Sequence, residues 1–355
     1  MRDRRTGLDR FLQAQAAHVA HAAALIALGC LVLWAAGGCG SRMPEAATGA
    51  VSAGNSVDPA RTAPRRGKVG VSVLTLGNPF FRVIADHLTD ELAQAGYETI
   101  VVSGELDPAR QQQQVHDFIT AGCVAIVLCP CNSRAVGTAI EAANQAGIPV
   151  FTADIACLAP GAKVVSHIAS DNLGGGRQAA QAMIEALGEA GGKVVILDYK
   201  DAESCLLRVQ GFKEVIQQYN EGRTHGRIEI VAELPGDGRK DKGDRAAQDA
   251  LQAHPDLAGI FAINDPSALG ALAALEKAGK LGQVKVVGFD GQPEGKQAIR
   301  EGKIYADPVQ HPDQIGRQTA RTILRYLRGE EVPAEQLIPT GLYRQADALR
   351  DPELK

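Results

Sequence analysis

From Lys68 onward, short apolar runs alternate with longer segments whose apolar residues recur at helical spacing, and the alternation runs through twice. In the first run Val69, Val71 and Val73 alternate with smaller residues, and Tyr97 to Ser103, Cys123 to Cys129 and Ile148 to Ala153 read as strands two to four. Helices around Pro108 to Thr120 and Asn132 to Ala146 lie between them. Ala-Gly-Tyr, Ala-Gly-Cys and Ala-Gly-Ile close three helices with the residue best suited to a left-handed stop. Strands and helices in this order make a parallel, doubly wound sheet. After a fifth strand, Val164 to Ala169, the pattern restarts with strands at Lys193 to Asp198, Ile228 to Ala232, Gly259 to Ile263 and Val284 to Phe289. Its helices fall around Cys205 to Tyr219, Arg239 to Gln252, Ser267 to Ala278 and Pro293 to Arg300. Two such series predict an α/β protein of two lobes. A last strand, Ile304 to Asp307, precedes a helix from Asp313 to Arg328 and a short segment from Leu337 to Tyr343. That helix has no strands of its own and is expected to pack back on the first lobe.

A chain of 355 residues is long enough for two domains, and 45% hydrophobic with 22% charged residues is ordinary for a globular protein. The net charge of -4 supplies no basic field, so nucleic acid is not an expected partner. The amino terminus differs from the rest. Arg2, Arg4, Arg5 and Arg10 precede an apolar run from Ala22 to Ala36, which meets Ala36-Gly37-Gly38-Cys39. This is a signal peptide pattern, short for a membrane span, with an uncleaved single-helix anchor as the alternative reading. The small residues before Cys39 resemble a bacterial lipoprotein cleavage site, at which the cysteine would be lipidated; Cys30 after Leu28-Gly29 is a weaker competitor. Gly40 to Gly67, rich in Ala, Gly, Ser, Pro and Arg, reads as a disordered tether.

The first strand leads into Leu74-Thr75-Leu76-Gly77-Asn78-Pro79-Phe80-Phe81, where Asn78 can cap the following helix and Pro79 fits its first turn. Ligands in open parallel sheets bind at the carboxyl ends of strands. An amide and two rings at that end form a recognition lip, although the same residues also read as a cap and two core rings. Other strand ends carry Asp154; Arg208 in Arg208-Val209-Gln210-Gly211-Phe212; Asn264-Asp265; Phe289-Asp290-Gly291; and Gln310. Carboxylates, amides and a guanidinium beside aromatic faces suit a neutral polyhydroxylated ligand. Gly174 to Gly176 lack both the Gly-x-Gly-x-x-Gly spacing and a following Lys-Ser/Thr, so they read as close helix packing rather than a phosphate loop. No Ser/His/Asp or Cys/His set carries a helpful local motif. No catalytic residue and no cofactor is expected.

From Lys68 to about Tyr343 the sequence resembles the ribose-binding-protein-like group of periplasmic sugar-binding proteins, class B (type I) substrate-binding proteins of ABC importers. The resemblance rests on Asn78-Pro79-Phe80-Phe81, Ile148-Pro149-Val150 with Asp154, and Val165-Ser166-His167-Ile168-Ala169-Ser170-Asp171-Asn172. It continues in Arg208 with Gly211-Phe212, Asn264-Asp265 with Ala268-Leu269-Gly270, Val287-Gly288-Phe289-Asp290-Gly291, and Pro312-Asp313-Gln314-Ile315-Gly316. It implies a periplasmic-binding-protein-like I fold: two doubly wound parallel-sheet lobes joined by a three-segment hinge, with crossings near Ser170, Gln310 and Pro333 to Gln336, closing on a ligand. The expected division is a signal peptide over 1–39, a tether over 40–67, a first lobe of 68–170 with 310–336, and a second of 171–309 with 337–345. His167, in the first crossing, reads as structural.

The resemblance places sugar contacts on Asn78, Phe80, Phe81, Asp154, Arg208, Asn264, Phe289, Asp290 and Gln310. Four positions depart from the pattern: Leu74 replaces a small hydroxyl residue, Cys129 an amide, Ile155 an arginine and Gly238 an aromatic ring. Ribose is therefore a poor candidate. The departures leave two ligand classes open, a larger or more apolar sugar derivative and a ligand with a positive group; Lys200 is a candidate to restore the missing cation. Of seven cysteines, Cys123, Cys129, Cys131, Cys157 and Cys205 would remain in the mature chain, an odd number. Cys-x-Cys with distant partners is weak spacing for a soft metal. A disulfide from Cys157 to Cys131 or Cys129, or free thiols, is the stronger expectation, and no metal site is assigned.

The resemblance implies a monomeric, non-enzymatic, lipid-anchored receptor, periplasmic or at the cell surface, that delivers a sugar to an ABC permease in the inner membrane. A sensory version serving a chemoreceptor or sensor kinase uses the same lobe closure. A repressor of related fold would need an amino-terminal helix-turn-helix, where this chain has a signal and a tether.

Overall fold

The computed structural model describes residues 66–354. Residues 1–65, which include the expected signal peptide with Cys39 and most of the expected tether, lie outside them. The first half contains β1 (Gly67–Val73), α1 (Pro79–Gln94), β2 (Tyr97–Ser103), α2 (Pro108–Thr120), β3 (Ala125–Leu128), α3 (Gly137–Gln145), β4 (Val150–Ala153) and β5 (Ser166–Ser170). The second repeats the pattern with α4 (Asn172–Leu187), β6 (Gly192–Asp198), α5 (Glu203–Asn220), β7 (Ile228–Pro235), α6 (Lys240–Ala253), β8 (Leu257–Ala262), α7 (Asp265–Lys277), β9 (Lys285–Val287), α8 (Pro293–Arg300) and β10 (Ala306–Val309). The chain then runs through α9 (Pro312–Leu327), β11 (Glu335–Ile338), β12 (Gly341–Arg344) and α10 (Gln345–Ala348).

The helix starts follow from local chemistry. Asn78, Asp107, Asp171 and Asn264 each accept a bond from a backbone N–H of the first turn, and Pro79, Pro108, Pro266, Pro293 and Pro312 occupy first-turn positions where a missing donor costs nothing. One start differs from the sequence expectation. The helix expected from Asn132 begins at Gly137, because Asn132 Oδ1 accepts from the amides of Arg134 and Ala135 and turns the chain first.

The strands form two six-stranded sheets in the orders β11-β5-β4-β3-β1-β2 and β12-β10-β9-β8-β6-β7. Strands β1 to β5 and β6 to β10 thus share one topology, and pairing is parallel except where β12 runs antiparallel to β10. Three apolar layers result. Val115, Phe118 and Ile140 pack one face of the first sheet, and Leu257, Leu275 and Ile299 one face of the second. A larger cluster, from Val71, Ile84 and Leu88 to Ile196, Phe212 and Phe261, fills the remaining faces.

The chain passes between the sheets at Asp171, between β5 and α4; at Gln310 and His311, between β10 and α9; and at Pro339 and Thr340, between β11 and β12. The third crossing corrects the sequence reading of Pro333 to Gln336. Glu335 to Ile338 pair in parallel register with His167 to Ser170, so Leu337 and Ile338 belong to the first sheet rather than the second. The alternating exposure of this short edge strand leaves little apolar signal from which to place it.

Helix α9 returns to the first lobe as expected: a Cβ on Gly316 would lie 2.4 Å from the carbonyl oxygen of Ile84 in α1. Close approach also explains the glycine run. A Cβ on Gly176 would lie 2.1 Å from the carbonyl oxygen of Arg208, and one on Gly211 would lie 2.2 Å from that of Leu173, so α4 and α5 touch backbone to backbone. Gly176→Ala is expected to force these helices apart and cost about 1–3 kcal/mol, read as a lower urea midpoint at unchanged slope. Gly341→Ala, whose added methyl meets nothing within 4 Å, is expected to stay within about 0.5 kcal/mol.

Candidate functional site

The carboxyl ends of the parallel strands in both sheets line one cavity of about 370 Å³. On the first-lobe side, the turn after β1 supplies Leu74, Asn78, Phe80 and Phe81. Asn78 Oδ1 accepts from the Phe80 amide at 3.0 Å, and the two phenyl rings meet edge to face with centroids 5.3 Å apart. Capping and cleft lining are thus two aspects of one turn: the cap uses the amide oxygen, and the Nδ2 donor is left over. The end of β4 supplies Asp154 and Ile155. Asp154 is buried in a left-handed backbone conformation, φ 66°, and its Oδ1 has no hydrogen-bond partner. Burial pushes its carboxyl up to about 7; Arg208 opposes the rise, while Asp290 and Glu203 add to it.

On the second-lobe side Arg208 is the centre. Its guanidinium is buried, lies 3.9 Å from the Phe289 ring centroid, and donates from Nε to Asn172 Oδ1 (2.8 Å) and from Nη1 to the Ile263 carbonyl (2.8 Å) and Asp290 Oδ1 (3.1 Å). Nη2 makes none of these bonds. Gln310 donates to Asp290 Oδ1 at 2.7 Å, which leaves its own Oε1 buried without a partner. Asn264 caps α7 through Oδ1 and donates from Nδ2 to the Gly238 carbonyl at 3.1 Å.

Eight of the nine expected contacts therefore line the cavity; Phe289 does not. It is fully buried beneath Arg208, where its ring holds the guanidinium in place. Among the four departing positions Leu74, Ile155 and Gly238 line the cavity, and Cys129 does not. Cys129 is buried at the end of β3, its carbonyl accepting from Gln111 Nε2, so it shapes the core rather than the cleft. Lys200 is exposed and outside the lining. Cations that do line the mouth are Arg239 and Lys240. Sequence reasoning missed them because β7 runs on to Pro235, past the expected end at Ala232, and carries the following loop into the cleft. It also missed Tyr199, although that residue directly follows a strand read correctly to Asp198.

His167 sits in β5 with Nδ1 2.9 Å from Thr152 Oγ1; burial pushes its pKa down to about 4, and it lies outside the cavity lining. The five described cysteines are free thiols. Cys205 lines the cavity, and Cys131 points its thiol at the Leu74 carbonyl. Among the described residues no group of three or more His, Cys, Asp or Glu could hold a metal ion.

Behind the site lies a pair of buried carboxyls. Asp265 Oδ2 accepts from the Gln292 amide, Gln292 Nε2 donates to Asp290 Oδ2, and Asp265 faces Asp307. Oδ1 of Asp265 and both oxygens of Asp307 have no donor from other groups. A proton held on Asp265 Oδ1 and donated to Asp307 would pair that oxygen with one of the two Asp307 oxygens and leave the other without a donor. Burial, and then the neighbouring Asp307, push Asp265 well above the carboxylate range, while burial also raises Asp307.

Two α/β lobes with polar and aromatic side chains converging on the cleft between them define a two-lobed small-molecule binding protein. The model of the periplasmic binding protein domain matches residues 69–331, and the chain belongs to that family. It is 38% identical to the ribose import binding protein of Escherichia coli strain K12 over 267 residues, 75% of this chain and 87% of that protein. It is 33% identical to the D-apiose import binding protein of Paraburkholderia graminis over 273 residues, 76% and 85% of the two chains. Among solved structures, an ABC transporter solute-binding protein from Agrobacterium vitis bound to α-D-tagatopyranose matches with a TM-score of 0.75 and 25% identity, covering 81% of this chain and 98% of that one.

The carboxyl pair fixes a pH dependence. Because the folded pKa values are raised, the folded state holds more protons than the unfolded state above about pH 4. The stability this confers is complete below that pH and is lost as the pH rises through the folded values. Asp265→Asn keeps a donor toward Asp307 and removes one titration. Urea midpoints between pH 4.5 and 8 should fall less steeply in the variant than in the parent chain; parallel curves would exclude the shared proton.

Proposed function

We propose that the chain is the substrate-binding component of an ABC importer and captures a sugar or sugar derivative between its lobes. The observation that carries this reading is the pair of buried, unpartnered acceptors, Asp154 Oδ1 and Gln310 Oε1, on opposite walls of a cavity that also holds Phe80 and Phe81. An unpaired buried polar group costs about 1–3 kcal/mol, and ligand hydroxyls would relieve that cost while the rings cover apolar ring faces. Asn78, Asp154, Arg208, Asn264, Asp290 and Gln310 are the polar contacts in this reading, and Phe289 supports Arg208.

The charges favour a neutral ligand over a cationic one. Asp290 is paired with Arg208 at 3.1 Å, Asp241 with Arg239 at 3.0 Å and Asp237 with Lys242 at 4.0 Å. Asp154 has no ion pair among the described residues, and burial raises its pKa to about 7, so near neutral pH it carries only part of a full negative charge. Leu74 and Ile155, with Leu106, Ala202 and Pro266, make part of the lining apolar. That fits a sugar derivative with one edge free of hydroxyls. The protein acts as a monomer without catalysis, in the periplasm or at the cell surface, and hands its ligand to a permease.

A thermal-shift screen of the full-length protein against pentoses, hexoses, deoxy sugars, amino sugars and inositols tests this. A sugar at a hundred times its dissociation constant should add about 2.7 kcal/mol of stability, and Asp154→Ala should abolish most of the shift. Silence across the panel, or a response to amino sugars alone, would overturn the neutral-sugar reading. Lipidation of Cys39 anchors the protein to the membrane. On expression in a bacterium, Cys39→Ala should move the protein from the membrane fraction to the soluble fraction.

A further inference from the structure

Tyr199 directly follows strand β6, which pairs with β8 and the edge strand β7, and it lines the cavity. Its backbone is pinned by the preceding residue: Asp198 Oδ1 accepts from the Tyr199 amide at 2.6 Å. The ring lies beside Gly238: a Cβ built there would be 3.2 Å from Asn264 Nδ2 and 3.9 Å from Tyr199 Cδ1. Gly238 itself is held at φ +64°, a conformation that L side chains rarely adopt, and its carbonyl accepts from Asn264 Nδ2. The loop after β7 is thus bent to satisfy Asn264 and cannot readily carry a side chain of its own at that point.

The Tyr199 hydroxyl crosses the cleft. It donates to the carbonyl of Cys131, in the first lobe, at 3.3 Å. Three neighbouring bonds join the same two segments: Asn132 Nδ2 donates to Asp201 Oδ1 (2.8 Å), the Ser133 amide to the Asp201 carbonyl (2.8 Å), and the Glu203 amide to Ser133 Oγ (2.9 Å). None of these can persist if the lobes swing apart. Burial raises the phenol pKa, with Asp201, Cys205, Cys131 and Asp237 adding to the rise, so the hydroxyl remains a donor at any physiological pH.

We propose that Tyr199 is a specificity-determining residue of this cleft: it supplies the second-lobe ring against which the ligand's apolar face rests, opposite Phe80 and Phe81, and its hydroxyl ties that ring to the closed arrangement of the lobes. This rests on the sugar reading above and names the ligand's shape within it: a ring with one face free of axial hydroxyls. Ring and hydroxyl make separate contributions. The ring adds buried apolar area and stacking to the bound state, and the hydroxyl adds a bond that exists only when the cleft is shut.

The test is calorimetric binding of the full-length protein and its variants to D-ribose, D-apiose, D-tagatose, D-allose and myo-inositol, with dissociation rates for the tightest of them. Tyr199→Ala is expected to weaken that ligand by about tenfold to a hundredfold. Tyr199→Phe, which keeps the ring, should weaken it by about threefold to tenfold, mostly through faster dissociation. If Tyr199→Ala melts early in the absence of ligand, Tyr199→Leu, which keeps apolar volume without an aromatic face, carries the same comparison. Affinity of the Ala or Leu variant within twofold of the parent overturns the assignment of the ring, and parental affinity in Tyr199→Phe overturns that of the hydroxyl. A parent chain that binds no sugar in the panel overturns the sugar reading, and the Tyr199 assignment falls with it.

Discussion

The buried guanidinium of Arg208 is the interaction on which the cleft depends. Removing a charge from water costs several kcal/mol unless its donors are met, and here the start of α4, the residue after β8 and the turn after β9 all supply acceptors. Asp290, held by that cation, in turn receives Gln310 from the second crossing and Gln292 from the start of α8. One side chain thus fixes the relative positions of three strand ends and two of the crossings. The glycines of α4 and α5 have the same purpose at the level of backbone: without their close approach, Arg208 would stand too far from Asn172 to bond it.

Strain is concentrated in the same place. Five described non-glycine residues have positive φ, and four of them, Leu106, Asp154, Asp237 and Asp290, line the cavity. Each such residue costs on the order of 1–3 kcal/mol and persists only where its surroundings over-determine it. The parallel sheets provide that rigidity. They hold Asp154 with its carboxylate aimed inward and one oxygen unmet, an arrangement that a relaxed chain in water would not keep.

Much of this was legible in the sequence, for identifiable reasons. Period-two strands and helical apolar spacing gave both sheets because parallel strands buried on two faces leave a strong apolar record. Asn78, Asp154, Arg208, Asn264, Asp290 and Gln310 were readable because strand ends in such sheets are where ligands bind. Phe289 was read as a contact because an aromatic ring at a strand end looks the same whether it faces a ligand or lies beneath an arginine. Cys129 was misplaced for a similar reason: one residue of register at a strand end decides between cleft and core. Strand β11 left almost no apolar trace, so its membership came only from pairing with β5. Tyr199 was hidden by its context, since a lone tyrosine before Lys200 and Asp201 reads as the start of a solvated loop.

The three crossings are short enough to limit how the molecule can move. Asp171 alone, then Gln310 with His311, then Pro339 with Thr340 span the two sheets, and two residues reach at most about 7 Å. Pro339 has its φ fixed by its ring, while Thr340 exchanges bonds with Gln178 of α4 on both its hydroxyl and its carbonyl. Such connections permit torsion but almost no translation. The lobes are therefore threaded like a book on three short stitches, and the angle to which the cleft opens is a property of a few backbone dihedrals; two of the stitches lie outside the cavity, while the second carries Gln310 and so joins the hinge to the ligand-facing wall.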